Sequence, residues 1–387
     1  MRLIRTRICT ACLLFVCLLW SCKEKANESD VLDLSTAEQV SIDDVFADVE
    51  LTPLLFEKDT YPSVVTQIKI AGDIILVSDR HNIIHVFDKT GHYVSCSKEK
   101  YGNGPDEYSV LMGFGWNPYS NLIEILTPDK LLSFDCNFNM ISSADIPTSI
   151  GKDRLLLEQI FDLSQNRHIF VPTSASANPY CYIVFNSKEN KVEYSFDFAK
   201  DIISPISMQN QSFYETGDGR VYFFPPALYD KFYEVDKQNG IVKSSTSVDY
   251  GDNAIDRDDL KDLKDDLRRL SDFLENSSKD YYLNTMTNGD VLFIVGKHGH
   301  SMRDFFTIVA DFKTAKNKVV NLYDDKGYRF PMIGDIDEQY AYAVYSKDFI
   351  LQNRRLAMSH ADSLDSLLSN IDDEDYVLLR YRIKKSD

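Results

Sequence analysis

The chain predicts an all-β fold, a six-bladed β-propeller of four-stranded antiparallel blades. Three observations predict it. From about residue 60 onward, short runs crowded with Val, Ile, Tyr and Phe alternate with turns of Asp, Asn, Gly and Lys. The runs come in sets of four, and the set recurs at roughly 40 to 50 residues, the period of propeller blades that need their neighbours to bury both faces. A stretch near the N-terminus has the composition of a strand but no partner nearby.

The first set is Val64 to Ile70, Ile74 to Asp79, Ile83 to Phe87 and Tyr93 to Cys96, a four-stranded meander closed by turns such as Ala71-Gly72-Asp73. The second is Leu111 to Trp116, Leu122 to Thr127, Leu131 to Asp135 and Met140 to Ile146. A third runs from Glu158 through Phe170, Tyr182 and Val192, a fourth from Phe213 through Val221, Phe232 and Ile241, and a fifth from Tyr281 through Val291, Phe305 and Val319. The third strand and its exit turn repeat almost in register as His85-Val86-Phe87-Asp88-Lys89-Thr90-Gly91 and Phe232-Tyr233-Glu234-Val235-Asp236-Lys237-Gln238-Asn239-Gly240.

A sixth blade assembles from Met332 to Ile336, Tyr340 to Tyr345 and Tyr376 to Ile383, but lacks an outer strand. The segment from Val49 to Leu55 can supply it and close the ring. Pro53 suits an outermost strand, where a missing N–H leaves no ladder partner unsatisfied.

Two stretches depart from the β pattern. Asp256 to Asn276 carries Leu260, Leu263, Leu267, Leu270 and Leu274 at helical spacing, which predicts an amphipathic helix between blades four and five. Asp348 to Leu368 carries Leu356, Ala357, Ala361, Leu364 and Leu368 on one side and predicts a second helical insertion inside blade six, followed by the acidic run Asp372-Asp373-Glu374-Asp375. Both are expected to pack on the propeller.

The chain begins with three arginines in seven positions and continues uncharged from Ile8 to Trp20. That apolar run is too short to cross a bilayer, which takes about 20 residues, and reads as a signal peptide over residues 1–21. Leu19-Trp20-Ser21-Cys22 resembles a bacterial lipobox, which implies cleavage before Cys22 and acylation of that residue. Residues 22–39 are polar and read as a flexible tether between lipid and a folded domain spanning 40–387. The expected location is the cell envelope, anchored by lipid to the outer membrane.

The formal charge is −18, and removal of Arg2, Arg5 and Arg7 makes the remaining chain more acidic still. Such a charge repels polyanions and disfavours nucleic acid as a partner, while leaving cations possible. Of seven cysteines, Cys9, Cys12 and Cys17 lie in the leader. Cys96, Cys136 and Cys181 are too widely spaced for a disulfide framework or a CxxC metal knuckle and read as small apolar residues.

Several marks together resemble one family. They are the leader ending in Ser21-Cys22, the entry segment from Ile42 to Leu54, the Ile84 to Gly91 strand and turn, and Gly102-Asn103-Gly104-Pro105-Asp106-Glu107-Tyr108. The chain resembles the six-bladed β-propeller lipoproteins of Bacteroides-type bacteria, which are similar in blade pattern to NHL-repeat proteins. The last segment looks like the family's G-x-G-P-G-E-Y connection between the first two blades, with Asp106 in place of the third glycine. Its chemistry is conformational: the glycines free the backbone, Pro105 fixes its own φ, and Glu107 and Tyr108 cap and pack the turn. A dinucleotide loop would need the third glycine and a following helix. The resemblance implies fold and location, with little about activity.

Motifs for chemistry are sparse. His298 and His300 lie two apart and would share one side of an extended segment, but no third metal ligand is identifiable; His81 and His85 make the same weak case. No Gly-x-Ser-x-Gly or His-Glu-x-x-His occurs. With 60 acidic residues, no carboxylate pair stands out as catalytic. Most aromatics must be blade packing, while Trp116, Tyr119, Phe213, Tyr214, Tyr229 and Tyr328 are loop candidates for a stacking surface. The leading expectation is a non-catalytic module that binds a glycan, peptide or envelope protein. The alternative is a hydrolase or lyase of the propeller lactonase kind, with calcium or zinc in the central channel held by ligands from several blades. A scaffold within a surface uptake complex is a third reading.

Overall fold

The computed structural model describes residues 30–173, 179–197, 211–263, 266–298, 304–312, 316–321 and 330–384. Among them, six antiparallel sheets of four or five strands stand in a ring, the six-bladed propeller expected. Blade one comprises Val65–Ala71, Ile74–Asp79, Ile84–Asp88 and Tyr93–Cys96, within a residue of the strands expected from sequence. Blade two comprises Gly113–Asn117, Leu122–Leu126, Lys130–Phe134 and Met140–Asp145. Blade three comprises Leu157–Ser164, Arg167–Pro172, Tyr180–Asn186 and Lys191–Asp197. In each blade the first strand is innermost, and the first strands of blades one and two, two and three, five and six, and six and one touch around the axis.

The repeated exit turn has a physical cause. Asp88 Oδ1 accepts the backbone N–H groups of Thr90 (2.8 Å) and His92 (3.1 Å), and Asp236 Oδ1 accepts those of Gln238 (2.8 Å) and Asn239 (3.2 Å). Blades two and three use the same device through Asp135 and Asn186, so the repeat is a side-chain-capped turn that releases the third strand into the fourth.

Ring closure follows the expectation. Blade six is ordered Asp335–Ile336, Tyr340–Ser346, Tyr376–Ile383 and then Phe46–Leu54, the last contributed by the opposite end of the chain. Val377 stands opposite Pro53 in this ladder, and the proline's other flank faces no strand of its own sheet.

Within the segment read from sequence as a tether, residues 30–39 include two short strands. Asp30–Asp33 adds to the outer edge of blade four, and Glu38–Gln39 runs parallel to the outer strand of blade five, Asn317–Asn321. Leu34 is buried between these two short pairings. Edge pairing uses main-chain groups, so a polar segment can be captured without any strand pattern of its own.

The two insertions are helical but not continuous. The first divides into Arg257–Leu260 and Leu267–Asn276, because Asp266 caps a new N-terminus by accepting the N–H groups of Arg268 (3.1 Å) and Arg269 (3.0 Å). Leu260, Leu263, Leu270 and Leu274 are buried together with Tyr281 and Leu283 of blade five. The second divides into Lys347–Gln352, a 3₁₀ segment Arg354–His360 and Leu364–Leu367, broken at Met358 with φ of 44°. Its Leu356, Ala357, Leu364 and Leu368 join the core of blades five and six.

Candidate functional site

A cavity of about 590 Å³ opens at the axis, lined by blades one, two, three, four and six. Its walls combine Ile70, Ile74, Pro118, Ile160 and Phe161 with the indole of Trp116 and the polar groups of Lys69, Asp162, Gln211, Glu215 and Asp335. Lys69 Nζ donates to Gln211 Oε1 at 3.2 Å, and Asp335 Oδ2 accepts the backbone N–H of Ile70 at 2.6 Å. Burial pushes the Asp335 carboxyl up to about 6, against the pull of the Ile70 N–H and the Lys69 ammonium. Burial lowers Lys69, and the charges of Asp335 and Asp162 oppose that shift. These two hydrogen bonds hold Lys69 Nζ and Asp335 Oδ2 in place on the wall.

Behind the cavity wall, Asp162 joins Glu124 and His168 in a buried trio between blades two and three. Asp162 on the inner strand stands opposite His168 on the next strand, so the hairpin register places the pair, and His168 Nδ1 lies 2.7 Å from Asp162 Oδ1. Glu124 comes from the second strand of blade two, and its Oε2 lies 3.5 Å from His168 Nδ1. Close contact between the blades makes this possible: a Cβ on Gly113 would lie 2.2 Å from the carbonyl oxygen of Glu158.

The outer atoms of the trio are held from behind. Asn117 Nδ2 donates to Glu124 Oε1 at 3.0 Å, and His168 Nε2 lies 3.1 Å from Ser187 Oγ. Burial raises Glu124 to about 8, with the charge of Asp162 adding to the shift, and burial raises Asp162 to about 7. Burial lowers His168, opposed by the charge of Glu124. With both carboxylates ionised, Glu124 Oε2 has no donor; a proton shared with Asp162 supplies one.

The residues singled out in the sequence do not converge on this centre. Cys22, His300 and Tyr328 lie outside the described residues. His298 is exposed, its Nδ1 2.7 Å from Asp280 Oδ1. His81 is exposed, while His85 is buried 5.1 Å from the Phe56 ring and 4.0 Å from Asp79. Of the aromatics, Phe213 and Tyr214 are core, and Tyr119 is exposed with Lys237 Nζ 5.9 Å from its ring centre. Trp116 lines the axial cavity. Tyr229 lines a second cleft of about 520 Å³ with Tyr250, Tyr281 and Tyr282, between blade four and the first insertion.

The Gly102 to Tyr108 segment is structural. Gly104 N–H donates to Glu107 Oε2 at 2.7 Å, and the Tyr108 hydroxyl lies 2.6 Å from Ser97 Oγ and donates to the Asn82 carbonyl at 2.7 Å. Its glycines serve by absence of bulk, since a Cβ on Gly102 would lie 2.1 Å from Glu107 Oε2.

Sequence reasoning missed Glu124, Asp162 and His168. One signal was available: Glu124 is the lone charge in the apolar run Leu122-Ile123-Glu124-Ile125-Leu126, where a charge must be partnered or neutralised.

A family model, Domain of unknown function (DUF4934), matches residues 29–379. Among solved structures, a Bacteroides fragilis NCTC 9343 protein carrying the name "Putative exported protein" is similar with a TM-score of 0.68 and 19% identity, over 92% of this chain and 100% of that one. A member of the duf4221 family from Bacteroides vulgatus ATCC 8482 is similar with a TM-score of 0.53 and 12% identity, over 88% of this chain and 99% of that one. At these identities the likeness is one of fold. No curated protein matches the sequence.

Proposed function

The chain belongs to the DUF4934 family of domains of unknown function, and from that membership and the axial cavity we propose an exported, lipid-anchored propeller that binds an oligosaccharide. The basic start, the short apolar run and Ser21-Cys22 support export and acylation at Cys22. The name of the Bacteroides fragilis neighbour agrees with export. The lipid is the membrane contact, and the acidic chain disfavours nucleic acid.

The observation that carries the ligand class is the composition of the cavity wall. An indole face and apolar patches stand among amide and carboxylate groups whose positions are set by the inner strands. A sugar ring presents apolar C–H faces to an aromatic plane and hydroxyls to planar acceptors and donors, and a preformed concave site of this size suits two or three such rings.

Two experiments test the reading. Palmitate labelling in the native cell envelope is expected to mark the wild type and to be lost in Cys22→Ser; label retained in that variant refutes the anchor. On a glycan array the protein is expected to bind at least one oligosaccharide class, with affinity reduced at least tenfold, about 1.4 kcal/mol, by Trp116→Ala. Binding to peptides with none to glycans would replace the ligand class.

A further inference from the structure

Between blades two and three, Glu124, Asp162 and His168 bring three candidate ligand atoms within 4.8 Å of one another. We infer that this trio is a binding site for one divalent metal ion of the zinc class, ligated by Glu124 Oε2, an Asp162 carboxylate oxygen and His168 Nδ1. The inference is independent of what the axial cavity binds.

Distances support it first. Bonds of about 2.0–2.2 Å at tetrahedral angles separate neighbouring ligands by about 3.4 Å. The edge from His168 Nδ1 to Glu124 Oε2 is already 3.5 Å. The edge to Asp162 Oδ1, now a hydrogen bond of 2.7 Å, has to open by roughly 0.7 Å, a small change for a carboxylate at a hairpin end.

The supporting contacts are those of a ligating set. A metal-bound imidazole usually engages a partner through its other nitrogen, and a ligating carboxylate is held through its second oxygen. Here His168 Nε2 faces Ser187 Oγ at 3.1 Å, and Glu124 Oε1 accepts from Asn117 Nδ2 at 3.0 Å. What those contacts leave over is Nδ1 and Oε2, the two atoms that converge. Glu124 is 2% exposed, and while both carboxylates are ionised its Oε2 has no hydrogen-bond donor from the protein. A buried carboxylate oxygen left over in this way calls for a cation or a proton.

Charge and donor type select the ion. Two carboxylates and a neutral imidazole balance a 2+ charge, and one nitrogen among three ligands suits zinc or a neighbouring transition metal. Calcium, which takes six to eight oxygens, is poorly matched. Asp162 forms part of the cavity wall, which gives the ion a way in.

The purified full chain in detergent, stripped with chelator and dialysed, is titrated with zinc chloride by calorimetry. One zinc per chain is expected, with a dissociation constant on the order of 10 μM or tighter. Glu124→Gln and His168→Ala should each weaken uptake at least tenfold, whereas His298→Ala, at the exposed pair with Asp280, should leave it unchanged. No uptake by the wild type overturns the inference, as does uptake equal in all three variants. If neither trio variant melts cooperatively, zinc-edge X-ray absorption of the wild type decides: a shell of oxygens with one imidazole supports the site, and a shell with none or several overturns it.

Discussion

The backbone N–H of Phe56 donates to Asp375 Oδ1 at 3.1 Å, joining residues 319 positions apart in sequence. Phe56 follows the N-terminal strand that completes blade six and packs on Phe87 of blade one with ring centres 4.9 Å apart. Asp375 Oδ2 in turn accepts the Asp372 N–H at 3.0 Å, and the Tyr61 hydroxyl donates to Asp372 Oδ2 at 3.0 Å. The acidic run is therefore a clasp over the junction where the ring closes.

Asp375→Ala is expected to lower unfolding stability by about 1–3 kcal/mol, because it leaves a buried N–H without an acceptor. Asp375→Asn keeps one acceptor and should cost less. Asp373, exposed and paired with Lys347 at 2.9 Å, provides the control: Asp373→Ala should stay within about 0.5 kcal/mol. Urea denaturation of the three variants checks the order, and equal losses at 373 and 375 would contradict the clasp.

Blade contact near the axis makes a second prediction. A methyl group on Gly113 meets the main-chain oxygen of Glu158 at 2.2 Å, and that oxygen belongs to the inner strand of the neighbouring blade rather than to a movable side chain. Gly113→Ala should cost about 3 kcal/mol or more. Gly72 has φ of 62° in an open turn with nothing within 4 Å of an added Cβ, so Gly72→Ala should cost only the backbone term of about 1–2 kcal/mol. Thermal melts that rank Gly72→Ala as the worse variant would show that the blades part easily.

Helix capping supplies a third. Asp266 holds two N–H groups at the start of Leu267–Asn276, and this start is what divides the first insertion. Asp266→Ala should cost about 1 kcal/mol, measured by urea denaturation, whereas Asp266→Ser should recover most of it.

The blades were legible in sequence because each is a local meander: turn residues and strand composition lie within some tens of positions, and a side-chain-capped turn at Asp88 recurs at Asp236. Even the long-range closure was readable, because Phe46–Leu54 is strand-like with no local partner and Tyr376–Ile383 lacked one. Capture of Asp30–Asp33 was not, since it rests on main-chain pairing to an edge that only the folded ring presents. Nor was the buried trio. Asp162 and His168 face each other through hairpin register, but Glu124 reaches them only because Gly113 lets two blades approach, and no local spacing encodes that contact.

Glu158 carries the last prediction. Glu158 lines a narrow channel with residues of blades one, two and four, and burial lifts its carboxyl from an ordinary value of 4.5 to about 7. The folded chain therefore keeps a proton there that the unfolded chain has already released, so stability from this group is fully present below pH 4.5 and is lost as pH rises towards 7. Above pH 7 the fold must carry the buried charge. Glu158→Gln keeps the shape and cannot ionise. It should match the wild type at pH 4 and exceed it at pH 8 by about 1–2 kcal/mol, less than the full shift implies because the carboxyl keeps some solvent contact. Urea denaturation at several pH values should show the difference opening between pH 4.5 and 7. A difference that stays constant across that range would mean that water in the channel solvates the carboxylate and that Glu158 titrates as an ordinary surface acid.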